Sequence, residues 1–293
     1  MTSYPFQASE WPKSVARVQD FVGEGERLRL NWDLGIAPER EKKAVIKAWV
    51  EKLPDLTHLR RLSIWSQVPP AVLEAACALR GLEVLEIKGT SAETLRPLAQ
   101  LTQLHSLSIG GATKVESVEP LAALQELCLL EIANFKRIND FTPLQSLRRL
   151  ESLAVTGSMW ARQDVGALEP FAAMTWLTSL TLDTSGVDSL RPLAALRQLK
   201  RLEVSGRLPM EEYAWLAAHL PTTECRWFAP YQELSALGIG RCPKCTAQTM
   251  VMLTGRRAGD ACRVCDSAKV QRHAEAFQAA RDAAVAQTQA DRL

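Results

Sequence analysis

The chain has 293 residues, room for one repeat array and a small additional module. Its 35 Lys and Arg against 33 Asp and Glu leave a net charge of +2, so no global basic field points to nucleic acid or a membrane surface. No run approaches the roughly 18 apolar residues of a spanning helix, which excludes a predicted helical membrane span. Met1 to Phe6 lack a basic stretch followed by an apolar run, so no signal peptide is expected. Seven cysteines, four of them in two CxxC pairs, read as a reduced protein using thiolates for metal, and the expected location is the cytoplasm.

Residues 1–55 read as an N-terminal cap. Leu28-Arg-Leu30-Asn-Trp32 alternates like a first strand. Val45, Ile46, Trp49, Val50 and Leu53 share one helical face over 38–52, between Pro38 at a helix start and Pro54 past its end. Val15, Val18 and Val22 fit either one more helical turn or an extended arm.

From 56 to 205 one pattern is written seven times. Leu56-Thr-His-Leu59-Arg-Arg-Leu62-Ser-Ile64 is the first copy and Leu79-Arg-Gly-Leu82-Glu-Val-Leu85-Glu-Ile87 the second. The strand leucines at 62, 85, 107, 130, 153, 180 and 202 are spaced by 23, 22, 23, 23, 27 and 22 residues. Such a period with LxxLxxLxL spacing is the signature of a leucine-rich repeat. Each copy offers about four inward side chains worth roughly 1.5–3 kcal/mol apiece, while ordering its backbone costs about 1–2 kcal/mol per residue. One copy cannot stand alone; neighbours must cover it and the ends need caps.

Pro97-Leu98, Pro120-Leu121, Pro143-Leu144, Pro170-Phe171 and Pro192-Leu193 recur in phase with the leucines, predicting short helical or 3₁₀ turns behind the strands. The second repeat has a longer helical segment, Ala71 to Leu79. The fifth is extended by four residues within Gly157 to Asp164, a loop that carries Trp160. The array resembles the short, roughly 22-residue repeats of internalins and other bacterial leucine-rich repeat proteins. That resemblance covers about half the chain. It implies an α/β fold: a curved leucine-rich repeat solenoid with a parallel β-sheet on its concave face, used to bind protein.

Alternation assigns the concave residues. They are Arg29 and Asn31; Arg61, Ser63 and Trp65; Val84, Glu86 and Lys88; Ser106, Ser108 and Gly110; and Leu129, Glu131 and Ala133. Ser152, Ala154 and Thr156 follow, then Ser179, Thr181 and Asp183, and Arg201, Glu203 and Ser205. The centre is small and smooth and the ends are charged, with Trp65 and Leu129 as apolar anchors. Trp65, Lys88, Leu129, Glu131, Trp160, Asp183, Arg201 and Glu203 are the candidate partner-binding residues. A solvated serine-rich face would carry the same composition.

Residues 206–238 read as a capping repeat. Pro209 to Leu220 has Met210, Tyr213, Leu216 and Leu220 at helical intervals, and Cys225-Arg-Trp227 restores the LxL spacing with Cys225 in a leucine slot. Residues 239–293 hold Cys242-Pro-Lys-Cys245 and Cys262-Arg-Val-Cys265, sixteen residues apart. That spacing is typical of a zinc site, and four thiolates leave no open coordination position, so the expected cofactor is one structural Zn²⁺. Redox-active pairs and an iron–sulfur cluster are the rivals, although the βαβ context of a thioredoxin-type pair is missing. Gln248 to Leu253 is a predicted strand, Gly255 to Gly259 a turn, and 267–288 a helix with Val270, Ala274 and Phe277 on one face. Over 241–278 this resembles a treble-clef or zinc-ribbon module.

No GxSxG, P-loop, HExxH or dinucleotide fingerprint is present, and the four histidines are scattered, so no enzyme is expected. The function implied is stoichiometric binding of a partner protein, as an inhibitor, immunity protein or adaptor. The alternative is a nucleic-acid-associated factor. Residues 241–272 carry seven Lys or Arg against two Asp, and Arg256 and Arg257 at the hairpin tip are placed to meet phosphates.

Overall fold

The alternation in each repeat folds into a ladder of short parallel strands whose leucines stack in register. The structure is a computed structural model describing residues 6–23, 25–33, 38–205 and 207–290. Residues 1–5, on which the absence of a signal peptide was read, lie outside the described residues. Two compact units are present: Met1–Leu177 with Asp183–Gly186, and Thr178–Leu182 with Val187–Leu293.

The first unit carries strands β1 (Arg27–Leu30), β2 (Arg61–Val68), β3 (Val84–Thr90), β4 (Ser106–Gly110), β5 (Leu129–Ala133) and β6 (Ser152–Thr156), hydrogen-bonded in that order. The parallel register aligns Leu28, Leu62, Leu85, Leu107, Leu130 and Leu153 in one row. Leu30, Ile64, Ile87, Ile109, Ile132 and Val155 form a second row, and both rows are buried. Full burial stabilises each such side chain by roughly 1.5–3 kcal/mol. Stacking is what makes that burial available.

Behind the strands, the proline-led segments form 3₁₀ turns at Arg96–Gln100, Glu119–Ala123 and Thr142–Ser146, as expected. Proline fixes φ where no N–H is needed, and the following Leu98, Leu121 and Leu144 turn into the core. Helix α2 (Pro70–Cys77) is the longer segment of the second repeat; the fifth ends in the one-turn α3 (Glu169–Ala172).

Helix α1 (Glu39–Lys52) caps the start. Its Trp49 is fully buried, donates from Nε1 to the Ala16 carbonyl at 2.8 Å and meets the Phe21 ring edge-on at 6.1 Å. The stretch before β1 combines both sequence alternatives: Val15 pairs with Leu30 in extended conformation, and Val18–Asp20 is a 3₁₀ turn.

The 27-residue step is absorbed by a two-residue strand, β7 (Gln163–Asp164), paired with β9 (Thr184–Ser185). Gln163 is buried, and its amide closes the break in the backbone ladder. Its Oε1 accepts from the Phe135 N–H at 2.9 Å, while Nε2 donates to the carbonyls of Phe135 (2.9 Å) and Ile138 (2.8 Å).

In the second unit β8 (Ser179–Leu182) pairs in parallel with β10 (Arg201–Val204), around a 3₁₀ turn at Arg191–Ala195. Helix α4 (Met210–His219) follows, with Tyr213, Leu216 and Ala217 buried. The expected LxL strand at Cys225 does not form. Only Glu224 bridges to Arg201, and Arg226–Phe228 winds into a 3₁₀ turn. The reason is Trp227: its indole is turned inward and donates to the Val204 carbonyl at 2.8 Å, and the chain bends to place it. Cys225 is consequently only partly buried. Strands β11 (Tyr231–Glu233), β12 (Met250–Leu253) and β13 (Asp260–Cys262) form an antiparallel sheet. Its core of Val251, Leu253 and Ala261 is closed by Val270 from α5 (Ser267–Ala290).

Replacing Gln163 by Ala strands buried backbone groups, each worth about 1–3 kcal/mol when unsatisfied. Gln163→Ala should therefore lower unfolding stability by about 2–4 kcal/mol in urea. The exposed Gln125→Ala should change it by less than about 0.5 kcal/mol.

Candidate functional site

Two places carry chemistry beyond the core: the outward face of β1–β6 in the first unit and a cluster of cysteines in the second unit.

The first outward row runs Arg27, Arg61, Val84, Ser106, Leu129 and Ser152, one residue from each strand. Alternation alone places Val84 and Leu129 on the open face. Here Val84 is 5% exposed and Leu129 is half-buried, because Phe6 (9%) and Trp11 (8%) lie on them. Between these aromatics, Glu10 reaches Arg27 and Arg61, each at 3.7 Å, and Arg27 also donates to the Glu10 carbonyl at 2.9 Å. Phe6, Glu10 and Trp11 were missed in the sequence because they follow no helical or strand period. Two aromatics outside any repeat were the available signal.

In the second row Ser63, expected to be exposed, is fully buried and donates to the Glu86 carboxylate at 2.5 Å. The same carboxylate accepts from Trp65 Nε1 at 3.1 Å. Trp65 is 36% exposed, with the Arg29 guanidinium 4.3 Å and the Lys88 ammonium 5.8 Å from its ring centre. Both lie within cation–π range. Trp65 and Lys88 thus form one assembly with Arg29 and Glu86. Glu131, in the same row as Glu86, is half-buried, and burial pushes its carboxyl up to about 7.

Trp160 stands 90% exposed in the inserted loop beside Met159 at 89%. Asp183 accepts from Arg162 Nε at 2.6 Å. In the second unit Arg201 is exposed with Glu224 at 3.9 Å, and Glu203 pairs with Arg226 at 3.6 Å.

Cys242, Cys245, Cys262 and Cys265 bring their sulfurs within 4.8 Å of one another, a set able to hold a metal ion. The Sγ atoms of Cys242 and Cys265 are 3.9 Å apart and those of Cys245 and Cys262 3.7 Å, far beyond a disulfide bond. Each CxxC turns its own backbone onto its first sulfur: the N–H groups of Lys244 and Cys265 donate to Cys242 and Cys262, both at 3.4 Å. Asp266 ties the site down, accepting from the Cys262 N–H at 3.0 Å and from Lys244 at 3.4 Å. The Cys265 N–H, then the Thr249 hydroxyl, pull the Cys262 thiol down to about 6. The Cys245 thiol and the other sulfurs push Cys265 up to about 12. Four thiols this close cannot all ionise without a cation to share their charge.

Arg256 and Arg257 are exposed on the β12–β13 turn, where Gly255, Arg257 and Gly259 have positive φ. They border a cavity of about 520 Å³ together with Met210, Thr254 and His273.

Parallel strands in leucine register, backed by proline-led turns, define a repeat solenoid of the α/β class. The chain belongs to the leucine-rich repeat family: a profile described as a leucine-rich repeat region matches residues 40–238. No curated protein matches the sequence. Among solved structures the chain is similar to an internalin of Listeria monocytogenes, with 22% identity, 59% of this chain and 55% of that one covered, and TM-score 0.43. For internalin C2 of the same organism the identity is 24%, the coverage 61% and 79%, and the TM-score 0.47. For a leucine-rich repeat protein of Leptospira interrogans the identity is 13%, the coverage 73% and 58%, and the TM-score 0.45. The chain thus spans little more than half the length of two of these three. Among the described residues no helix is long and apolar enough to cross a membrane.

Because Glu131 keeps its proton in the folded chain up to about 7, against an ordinary 4.5, the unfolded chain ionises first. Stability contributed by this group is therefore lost as pH rises from 4.5 to 7, and stays lost above. Glu131→Gln should leave the melting temperature nearly unchanged at pH 4.5 and raise it at pH 8. An equal difference at both pH values would refute the burial argument.

Proposed function

We propose that this leucine-rich repeat protein is a non-catalytic scaffold that captures a partner protein on the outward face of its sheet. Trp65, Lys88, Leu129 and Glu131 lie on that face in the first unit, and Trp160 and Asp183 on its loops. In the second unit, Arg201 and Glu203 on β10 are the remaining candidate partner-binding residues. The observation that carries this reading is the division of labour within each strand. Inward positions are consumed by the core, while Trp65, Lys88 and Trp160 keep aromatic and cationic surface in solvent, the chemistry in which interface energy concentrates. An inhibitor, immunity protein or adaptor acting stoichiometrically in a bacterial cytoplasm fits this description.

A pull-down from the host supplies the partner. In a binding titration Trp65→Ala or Trp160→Ala should weaken it by about 2 kcal/mol, roughly 30-fold, with folding intact by circular dichroism. Gln100→Ala, on the opposite turns, should not change it. Full affinity in both tryptophan variants would move the interface off this face.

The cysteine cluster fits a structural zinc in a treble-clef or ribbon-like setting. Tetrahedral thiolates at about 2.3 Å from the ion sit about 3.8 Å from each other, close to the 3.9 Å of the Cys242–Cys265 pair and the 3.7 Å of the Cys245–Cys262 pair. The ion would supply the positive charge that stabilises four thiolates. Asp266, Thr249 and the two N–H donors orient the sulfurs. Elemental analysis should find close to one zinc per chain, and Cys262→Ser should release it. Hydrogen exchange should then rise across β12 and β13 while β1–β6 stay protected. A metal-free wild-type chain with free thiols would overturn this assignment.

A second reading is a nucleic-acid-associated factor, favoured by the exposed Arg256 and Arg257 on their left-handed turn. It requires binding of DNA or RNA that falls steeply with salt and is lost in an Arg256→Ala, Arg257→Ala chain.

A further inference from the structure

The stretch Phe6–Trp11 is seated on the sheet in the manner of a ligand. It lies against one register row, touching the arginines of β1 and β2 and the apolar positions of β3 and β5. Its carboxylate answers the two arginines, Glu10 to Arg27 and Arg61, each at 3.7 Å. Its two aromatic rings answer the two aliphatics, with Phe6 and Trp11 buried against Val84 and Leu129. Structural capping does not need this. Trp49, Val15 and α1 already close the end of the array, and the contacts that fix the cap begin at Val15 and Ala16. Residues 6–11 extend beyond that cap onto β3 and β5. The indole Nε1 of Trp11 is buried there with no hydrogen-bond partner among the described residues, a desolvation cost that a purely structural wedge such as Phe or Leu would avoid.

We infer that residues 6–11 are a built-in pseudo-ligand that masks part of the partner-binding face. The partner that displaces them presents an acidic side chain flanked by aromatic ones, the chemistry this row already accepts. The inference rests on the proposed use of this face for protein capture, and adds the class of partner segment and a competing occupant within the chain. The row's composition argues for that class independently of the arm: two arginines lie at one end and Val84 and Leu129 further along, with the small Ser106 between them leaving room for a backbone to cross.

The test is a titration of a fluorescein-labelled synthetic peptide of residues 4–14 into the full chain. Binding should be at least tenfold tighter to a Glu10→Ala, Trp11→Ala chain than to wild type, because the internal competitor is weakened. A peptide carrying Glu10→Lys should bind the variant at least tenfold more weakly than the native peptide. Should the double variant fail to fold by circular dichroism, the single Glu10→Ala replaces it, with an expected gain of about threefold, since it removes the pairs to Arg27 and Arg61 and leaves both aromatic rings in place. Equal binding to wild type and the folded variant refutes masking, as does no binding to either. Indifference to the Glu10→Lys change refutes the acidic–aromatic class. These outcomes are separable from the capture reading. Trp65 and Trp160 variants test capture with the native partner, whereas the peptide reports the arm's row alone.

Discussion

Everything in this protein depends on the parallel register of the leucine ladder. A 22- or 23-residue turn of chain has too little apolar surface to hold itself, so its free energy comes from covering its neighbour. That coverage works only if Leu62, Leu85, Leu107, Leu130 and Leu153 fall opposite one another, because a slip of one residue would exchange the core for the outward face. Where the step lengthens to 27 residues, the chain must supply a substitute for the lost backbone pairing. The Gln163 amide is that substitute, holding donor and acceptor of Phe135 at once.

The same logic makes the ends expensive. A first strand and a last strand each expose unpaired backbone and leucine faces, and the two ends are solved differently. At the start, α1 and the extended stretch around Val15 close over β1, with Trp49 bonded to Ala16. In the second unit β10 is terminated by Trp227, whose indole takes the Val204 carbonyl. Tyr213 reinforces this, its hydroxyl donating to Ser205 and accepting from Leu208. The cysteine hairpin belongs to this arrangement, since β12 pairs with β11, which follows directly from the 3₁₀ turn bearing Trp227.

Freed from stability, the outward positions vary. They pass from the arginine, lysine and tryptophan assembly of β1–β3 to serines and alanines in the middle strands, with Glu131 partly desolvated among them. The face is cationic and aromatic at one end and small in the middle, which leaves room for a segment of chain to lie across it. The chain's own Phe6–Trp11 segment already takes that place.

By itself the sequence determined the strands, their inward and outward residues, the proline-led turns, α1, α2, α4 and the pairing of the two CxxC motifs into one site. Each is a local signal with a short period or a fixed spacing, which one-dimensional reading captures. Tertiary structure alone decided three matters. The LxL spacing at Cys225 pointed to another strand, yet burying Trp227 against Val204 bent the chain into a 3₁₀ turn instead. Gln163 looked like a loop residue, but distant carbonyls at 135 and 138 made it a buried backbone surrogate. Leu129 and Val84 looked like free anchors, and only the fold shows Phe6 and Trp11, more than 70 residues away from Val84 in sequence, lying on them. In all three cases the deciding contact joins residues remote in the chain, and no periodicity within the chain encodes which distant group will need a partner.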